Sequence, residues 1–211
     1  MNLWNLKISI VVFLLLFTIF TCINPVFPNE QVLQHIGTVL LLMLLIPDLK
    51  QDKLSKTSFL CVTSFIFIHI IGARYIYSYV PYNEWIRAAF NVDINIFFNS
   101  SRNHYDRFVH LASGILAFPY LYEILGKKIK TKKSLMILIV WAFIQTIGML
   151  YELFEWLLTL IMSEEAANNY NGQQGDLWDS QKDMALAMLG STVIAIYYLF
   201  KRDKIENNQF S

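Results

Sequence analysis

Three short stretches carry the residue types and spacings that could do chemistry. "RNHYDRFVH" holds Asp106 and His110 four residues apart, "YELFEW" holds Glu152 and Glu155 three apart, and "GQQGDLWDSQKDM" holds Asp176, Asp179 and Asp183 at i, i+3 and i+7. On a helix, each set falls on one face. Carboxylates joined by an imidazole are ligands for Zn²⁺, Mg²⁺ or Mn²⁺, and a carboxylate left outside the coordination sphere can act as a general base on water. The candidate catalytic residues are therefore Glu152, Glu155, Asp106 and His110. The candidate ligands of a divalent metal are Asp106, His110, Glu152, Asp179 and Asp183. Arg74, Arg102 and His104 are the candidate substrate-binding groups, a guanidinium being suited to a phosphate or carboxylate.

The elements that must position these groups are membrane helices. Hydrophobic residues make up 55% of the 211 positions, aromatics 15% and charges only 16%, and the mean hydropathy is +0.43. That is the profile of an all-α polytopic membrane protein rather than a soluble domain. A bilayer core of roughly 30 Å needs about 20 helical residues. Six stretches come close to that length, at approximately 6–23, 31–46, 59–80, 108–125, 134–162 and 184–200, within one membrane domain spanning 1–211. Trp4, Trp85, Trp156 and Trp178 fall near span ends, where indole rings favour the interface. The first apolar run follows Lys7 as in a signal peptide, but no small-x-small cleavage site follows it, so a retained first span is expected.

A net charge of +1, with the basic residues in short clusters between apolar runs, offers no footprint for nucleic acid. Cys22 and Cys61 lie in or beside apolar runs without metal-ligand spacing, so no disulfide framework is expected. Oligomeric state has no signal in the sequence.

Twelve of the seventeen lysines and arginines fall on one side of this topology: Lys7, Lys50, Lys53, Lys56, Lys127, Lys128, Lys130, Lys132, Lys133, Lys201, Arg202 and Lys204. By the positive-inside rule, both termini are expected in the cytoplasm. The outer loop from Asn83 to Asp106 carries Trp85, Phe90, Ile94, Phe97 and Phe98. It reads either as a segment lying on the bilayer or as a loop with buried aromatics.

Depth follows from a helical rise of about 1.5 Å per residue, which puts Glu152 roughly 27 Å and Arg74 roughly 24 Å along their spans, both toward the outer surface. Each feature also has a plainer explanation. Asp179 and Asp106 could cap helix N-termini, Arg74 could pair with a glutamate to hold the bundle, and His69 could be a hydrogen-bonded packing residue. Glu123, beside the lysine cluster, reads as a structural ion pair. Capping does not cover Glu152 and Glu155, which approach the C-terminal end of their helix and call for a compensating cation or proton.

"HIIGARYIYSYVP" (His69 to Pro81), together with the three stretches quoted above and in this order, resembles the YjdF family of bacterial inner-membrane proteins over about residues 30–200. That resemblance implies a six-helix inner-membrane protein, and no activity. A more distant likeness is to VanZ-like proteins, which place an Asp and His pair on one helix, a glutamate on the next and an aspartate before the last. Here Glu155 replaces their glutamine, and "DMALAMLG" stands where they carry an asparagine-glycine pair. This likeness implies only one shared polar cluster.

Three functions stay open, and with them whether the chain is an enzyme. The first is a metal-dependent hydrolase or transferase acting on a lipid or lipid-linked substrate at the outer leaflet. The second is a structural or accessory membrane protein held by an ion-pair network. The third is a proton- or ion-coupled transporter, although acids crowded at one end make a poor through-path.

Overall fold

The computed structural model describes residues 2–97, 99–163, 167 and 170–201; Phe98 of the outer loop and Arg202 and Lys204 of the basic side lie outside them. The described residues form helices and no strand. In chain order these are α1 (Leu3–Thr21), α2 (Pro28–Met43), α3 (Ile46–Gln51), α4 (Lys56–Arg74), α5 (Tyr82–Phe90), α6 (Ile94–Phe97), α7 (Tyr105–Lys128), α8 (Lys133–Ile161) and α9 (Asp179–Phe200). Six segments are long and apolar enough to cross a membrane, with α2 and α3 together making the second. Local chemistry sets their starts. Asn2 Oδ1 accepts the Asn5 N–H at 2.8 Å, Ser55 Oγ accepts the Ser58 N–H at 3.3 Å, and Pro28 and Pro47 open α2 and α3, where a missing N–H costs nothing.

Large apolar side chains stay exposed along α1, α2 and α8, among them Leu16, Phe20, Leu40 and Leu157. In a bilayer these are the lipid-facing surface, so the packed interior is modest. One core joins Leu14 of α1, Leu45, and Phe59, Val62, Ile66 and Ile70 of α4. A second joins Phe118 of α7, Met136, Ile137, Val140 and Ile144 of α8, and Ala195 of α9. α7 therefore sits centrally, between α4 on one side and α8 and α9 on the other.

α4 ends at Arg74 instead of running on to Val80. Tyr77 turns back so that its N–H donates to the Gly72 carbonyl at 2.8 Å, and its ring lies where a Cβ on Gly72 would be 2.7 Å away. Ile76 and Tyr77 take positive φ values of 42° and 56° to make this return, a costly conformation for a β-branched residue that only surrounding packing can hold. Val80, Tyr105 and Val109 pack against the returned Tyr77.

The two ends of the bundle differ. At the lysine end, Lys7 is fully buried and pairs with Asp48 Oδ2 at 2.8 Å and Asp52 Oδ1 at 2.7 Å. There Glu123 accepts the Ser55 N–H at 2.9 Å and pairs with Lys127 at 2.7 Å, the structural ion pair expected of it. At the opposite end, the N-termini of α7 and α9 meet the C-terminal half of α8.

Candidate metal centre

Each residue of the centre follows from its helix. Asp106 and His110 occupy the first two turns of α7, Asp183 the second turn of α9, and Glu152 and Glu155 adjacent turns of α8. α7 and α9 can approach closely because Gly114 and Gly190 have no side chains, and that approach brings Asp183 to the Asp106 and His110 pair. One ligand atom from each of Asp106, His110 and Asp183 lies within 4.8 Å of the other two, and all three residues are buried. His110 Nε2 is 3.7 Å from Asp106 Oδ1 and 3.6 Å from Glu152 Oε1. Among the described residues, Glu152 Oε1 and Asp183 Oδ1 are buried without a hydrogen-bond partner. Such orphaned acceptors are rare in folded proteins and mark strain or a missing ligand. The donors present, carboxylate oxygens and one imidazole nitrogen, fit a hard or borderline divalent cation.

α8 continues to Ile161, more than a turn past Glu155. The macrodipole acts mainly within the last turn, so it adds little to the cost of placing acids here. Burial and mutual repulsion impose that cost instead.

Above the centre lies a rim of ion pairs. Arg102 bonds to Asp179 and donates to the Gly172 carbonyl at 3.3 Å. Arg107 pairs with Asp176 and reaches Asp179 Oδ1 at 3.6 Å, and Lys182 pairs with Asp176 at 2.6 Å. Asp179 lies in this rim. Trp178 is the N-cap residue, with no side-chain cap bond, and the Asp179 carboxylate faces two guanidiniums instead of the cation-ligand set.

Arg74 lies apart from the rim. Its guanidinium donates to the Thr21, Ile23 and Asn24 carbonyls, where a cation suits the free carbonyls and negative dipole of the C-terminus of α1. It has the right depth on the wrong side of α4, and the arginines of the site are Arg102 and Arg107. His104 lies beside them, its backbone N–H donating to the Tyr82 hydroxyl at 2.9 Å. Burial, then Arg107 and Arg102, hold its imidazole below the ordinary 6.5. His69 is a packing residue, with Nε2 3.0 Å from Thr38 Oγ1 and Nδ1 bonded to the Tyr77 hydroxyl.

Sequence reasoning missed the loop that closes the site. Gly172, at φ 68°, lies so near the centre that a Cβ would be 3.0 Å from Ser78 Oγ and 3.6 Å from Asp106 Oδ2. Asn171 is buried and donates from Nδ2 to the Glu155 carbonyl at 3.2 Å. The glycine inside "YNGQQGD" was the available signal, because a left-handed position favours glycine.

The rim carries an acid-stability prediction. Lys182, the Trp178 N–H and Arg107 together hold the Asp176 carboxyl at about 2, below its ordinary 3.8. A depressed folded-state value stabilises the fold above the ordinary value, and the contribution is lost as pH falls through the depressed one. The protection of residues 172–178 against hydrogen exchange, relative to the intrinsic rate at each pH, is therefore expected to fall between about pH 4 and pH 2 in the wild type. Asp176→Asn should exchange faster already at neutral pH and lose most of that pH dependence. Identical profiles for the two proteins would refute the assignment.

Among known proteins, the family model described as "Predicted membrane protein (DUF2238)" matches residues 6–204. The chain is 28% identical over 165 residues to a protein named inner membrane protein YjdF from Escherichia coli (strain K12), covering 75% of this chain and 72% of that one. No solved structure matches.

Proposed function

The chain belongs to the DUF2238 family of predicted membrane proteins, and from that premise we propose that it is a divalent-metal-dependent hydrolase or transferase acting on a lipid or lipid-linked substrate. The compartment in this reading is the inner membrane, as in the name of the Escherichia coli relative. Both termini are cytoplasmic, on the lysine asymmetry, and the centre opens at the outer leaflet. The observation that carries the reading is the convergence of Asp106, His110 and Asp183 around buried acceptors that nothing among the described residues satisfies.

Asp106, His110 and Asp183 hold the cation, which supplies Lewis acidity. Glu152, whose acceptor oxygen Oε1 lies 3.6 Å from His110 Nε2, completes the ligand set, and the bound cation would itself activate the attacking water or hydroxyl. Arg102 and His104 orient an anionic group of the substrate; Arg74 has no part, its donors being engaged by α1. A lipid substrate accords with the apolar side chains exposed around the same end, Phe90, Ile96, Leu177 and Trp178 among them. A purely structural role accounts for the arginine rim but leaves the orphaned carboxylate oxygens costing free energy without return.

Metal analysis of detergent-purified protein tests the reading. Stoichiometric metal is expected in the wild type, with loss in both Glu152→Ala and Asp183→Ala at unchanged helicity. In vesicles, mass spectrometry should register lipid turnover by the wild type and none by Glu152→Ala. A metal-free wild type, or a fully active Glu152→Ala, would overturn the proposal.

A further inference from the structure

Five acidic residues surround the centre, and the rim arginines engage only one of them, Asp179. Asp106, Glu152, Glu155 and Asp183 are all buried, and among the described residues none lies within ion-pair distance of a lysine or arginine. One divalent cation offsets only half of their formal charge.

The two oxygens of Asp106 face different surroundings. Oδ1 looks toward His110 Nε2 at 3.7 Å. Oδ2 looks toward the closing loop, 3.6 Å from where a Gly172 Cβ would stand, and Ser78 Oγ lies 3.0 Å from that same point. Ser78 Oγ is itself buried and unpartnered. Next to Gly172 in the chain is Asn171, only 4% exposed. Its amide orientation is set by its own contact: Nδ2 donates to the Glu155 carbonyl at 3.2 Å, so Oδ1 is the remaining acceptor, and it too is buried without a partner. Glu155, one turn beyond Glu152 on the same helix, is buried and holds Asn171 through its own backbone carbonyl. In helix bundles, carboxylates and histidines projecting inward from facing helices can hold a pair of metal ions, and a bridging carboxylate spans the 3.5–4 Å typical of such a pair.

We propose that the site takes two divalent cations bridged by the Asp106 carboxylate, the first on His110, Asp183 and Glu152, the second on Glu155, Asn171 Oδ1 and Ser78 Oγ. The inference rests on the metal-dependent reading above and deepens it. Two divalent cations balance the four carboxylates, and every unpartnered acceptor named here gains a cation. A side chain at Gly172, already disfavoured by its positive φ, would also crowd the second position.

Mn²⁺ is the probe, added to the full chain in detergent after chelation and dialysis. The wild type is expected to bind two equivalents and to give the exchange-coupled electron paramagnetic resonance spectrum of a manganese pair, a readout that needs no variant. Glu155→Gln and Asn171→Leu should each keep one equivalent, raise the Kd of the other at least tenfold and leave the spectrum of an isolated ion. Asn171→Asp should retain both. A single equivalent with an uncoupled spectrum in the wild type overturns the pair while leaving the metal-dependent reading standing. Two equivalents unaffected by Glu155→Gln overturn the assigned ligands, and no bound Mn²⁺ overturns both inferences.

Discussion

Lys7→Met is expected to destabilise the protein by about 3 kcal/mol, the cost of removing one partner from a buried ion pair. Lys7 is fully inaccessible and Asp48 nearly so, and the ammonium also donates to the Leu54 carbonyl at 2.7 Å. Asp48 cannot simply turn outward, because its Oδ1 accepts the Leu54 N–H at 2.5 Å and thereby holds the turn between α3 and α4. Without Lys7, a carboxylate stays in a low-dielectric site with no counter-charge. The figure stands at the low end of its class because the second acceptor, Asp52, is 44% exposed and already partly solvated. Asp48→Asn keeps an acceptor for Leu54 and removes the charge. The double variant Lys7→Met with Asp48→Asn is therefore expected to recover most of the loss, a coupling that a double-mutant cycle measures in detergent by thermal unfolding. Equal stability of Lys7→Met and the wild type would refute the argument.

That pair also shows where sequence reasoning stops. Lys7 counts correctly toward the basic end of the topology, but nothing in its neighbourhood identifies Asp48 as its partner across a loop. The six apolar helices were legible because hydropathy acts locally, residue by residue. The meeting of Asp106, His110 and Asp183 was legible for a related reason: helical spacing gives the face, and topology gives the end. Depth along a helix does not give the direction in which a residue faces. Arg74 is at the expected height and yet turns to the C-terminus of α1, a choice made by how α4 packs. The segment Tyr75 to Val80 is apolar enough to pass for helix, and only the tertiary contact of Tyr77 with Gly72 ends α4 early. Asn171 was invisible because its role depends on a loop closing over α7, where local pattern carries no information.

Gly114→Ala is expected to cost about 3 kcal/mol, the upper part of the range for overpacking, and to lower Mn²⁺ affinity at least tenfold. A Cβ on Gly114 would stand 2.1 Å from the Ala187 carbonyl oxygen and 2.7 Å from the Ser191 nitrogen. Both are backbone atoms of α9, so no rotamer change relieves the clash and the helices must separate. Gly190 makes the reciprocal contact, its Cβ position lying 2.4 Å from the Leu111 carbonyl oxygen. Close approach through small residues is how membrane helices gain packing energy when lipid removes the hydrophobic drive between them. Here the same approach sets the site, since His110 lies one turn before Gly114 and Asp183 one turn before Ala187. Gly126 and Gly148 supply the control: both are helical with nothing within 4 Å of a Cβ. Alanine at either should stabilise by about 0.5–1 kcal/mol and leave metal binding unchanged. Thermal unfolding and Mn²⁺ titration of the three variants separate the cases. If Gly114→Ala behaved like Gly148→Ala in both measurements, the α7 and α9 contact could not be what holds Asp183 against His110.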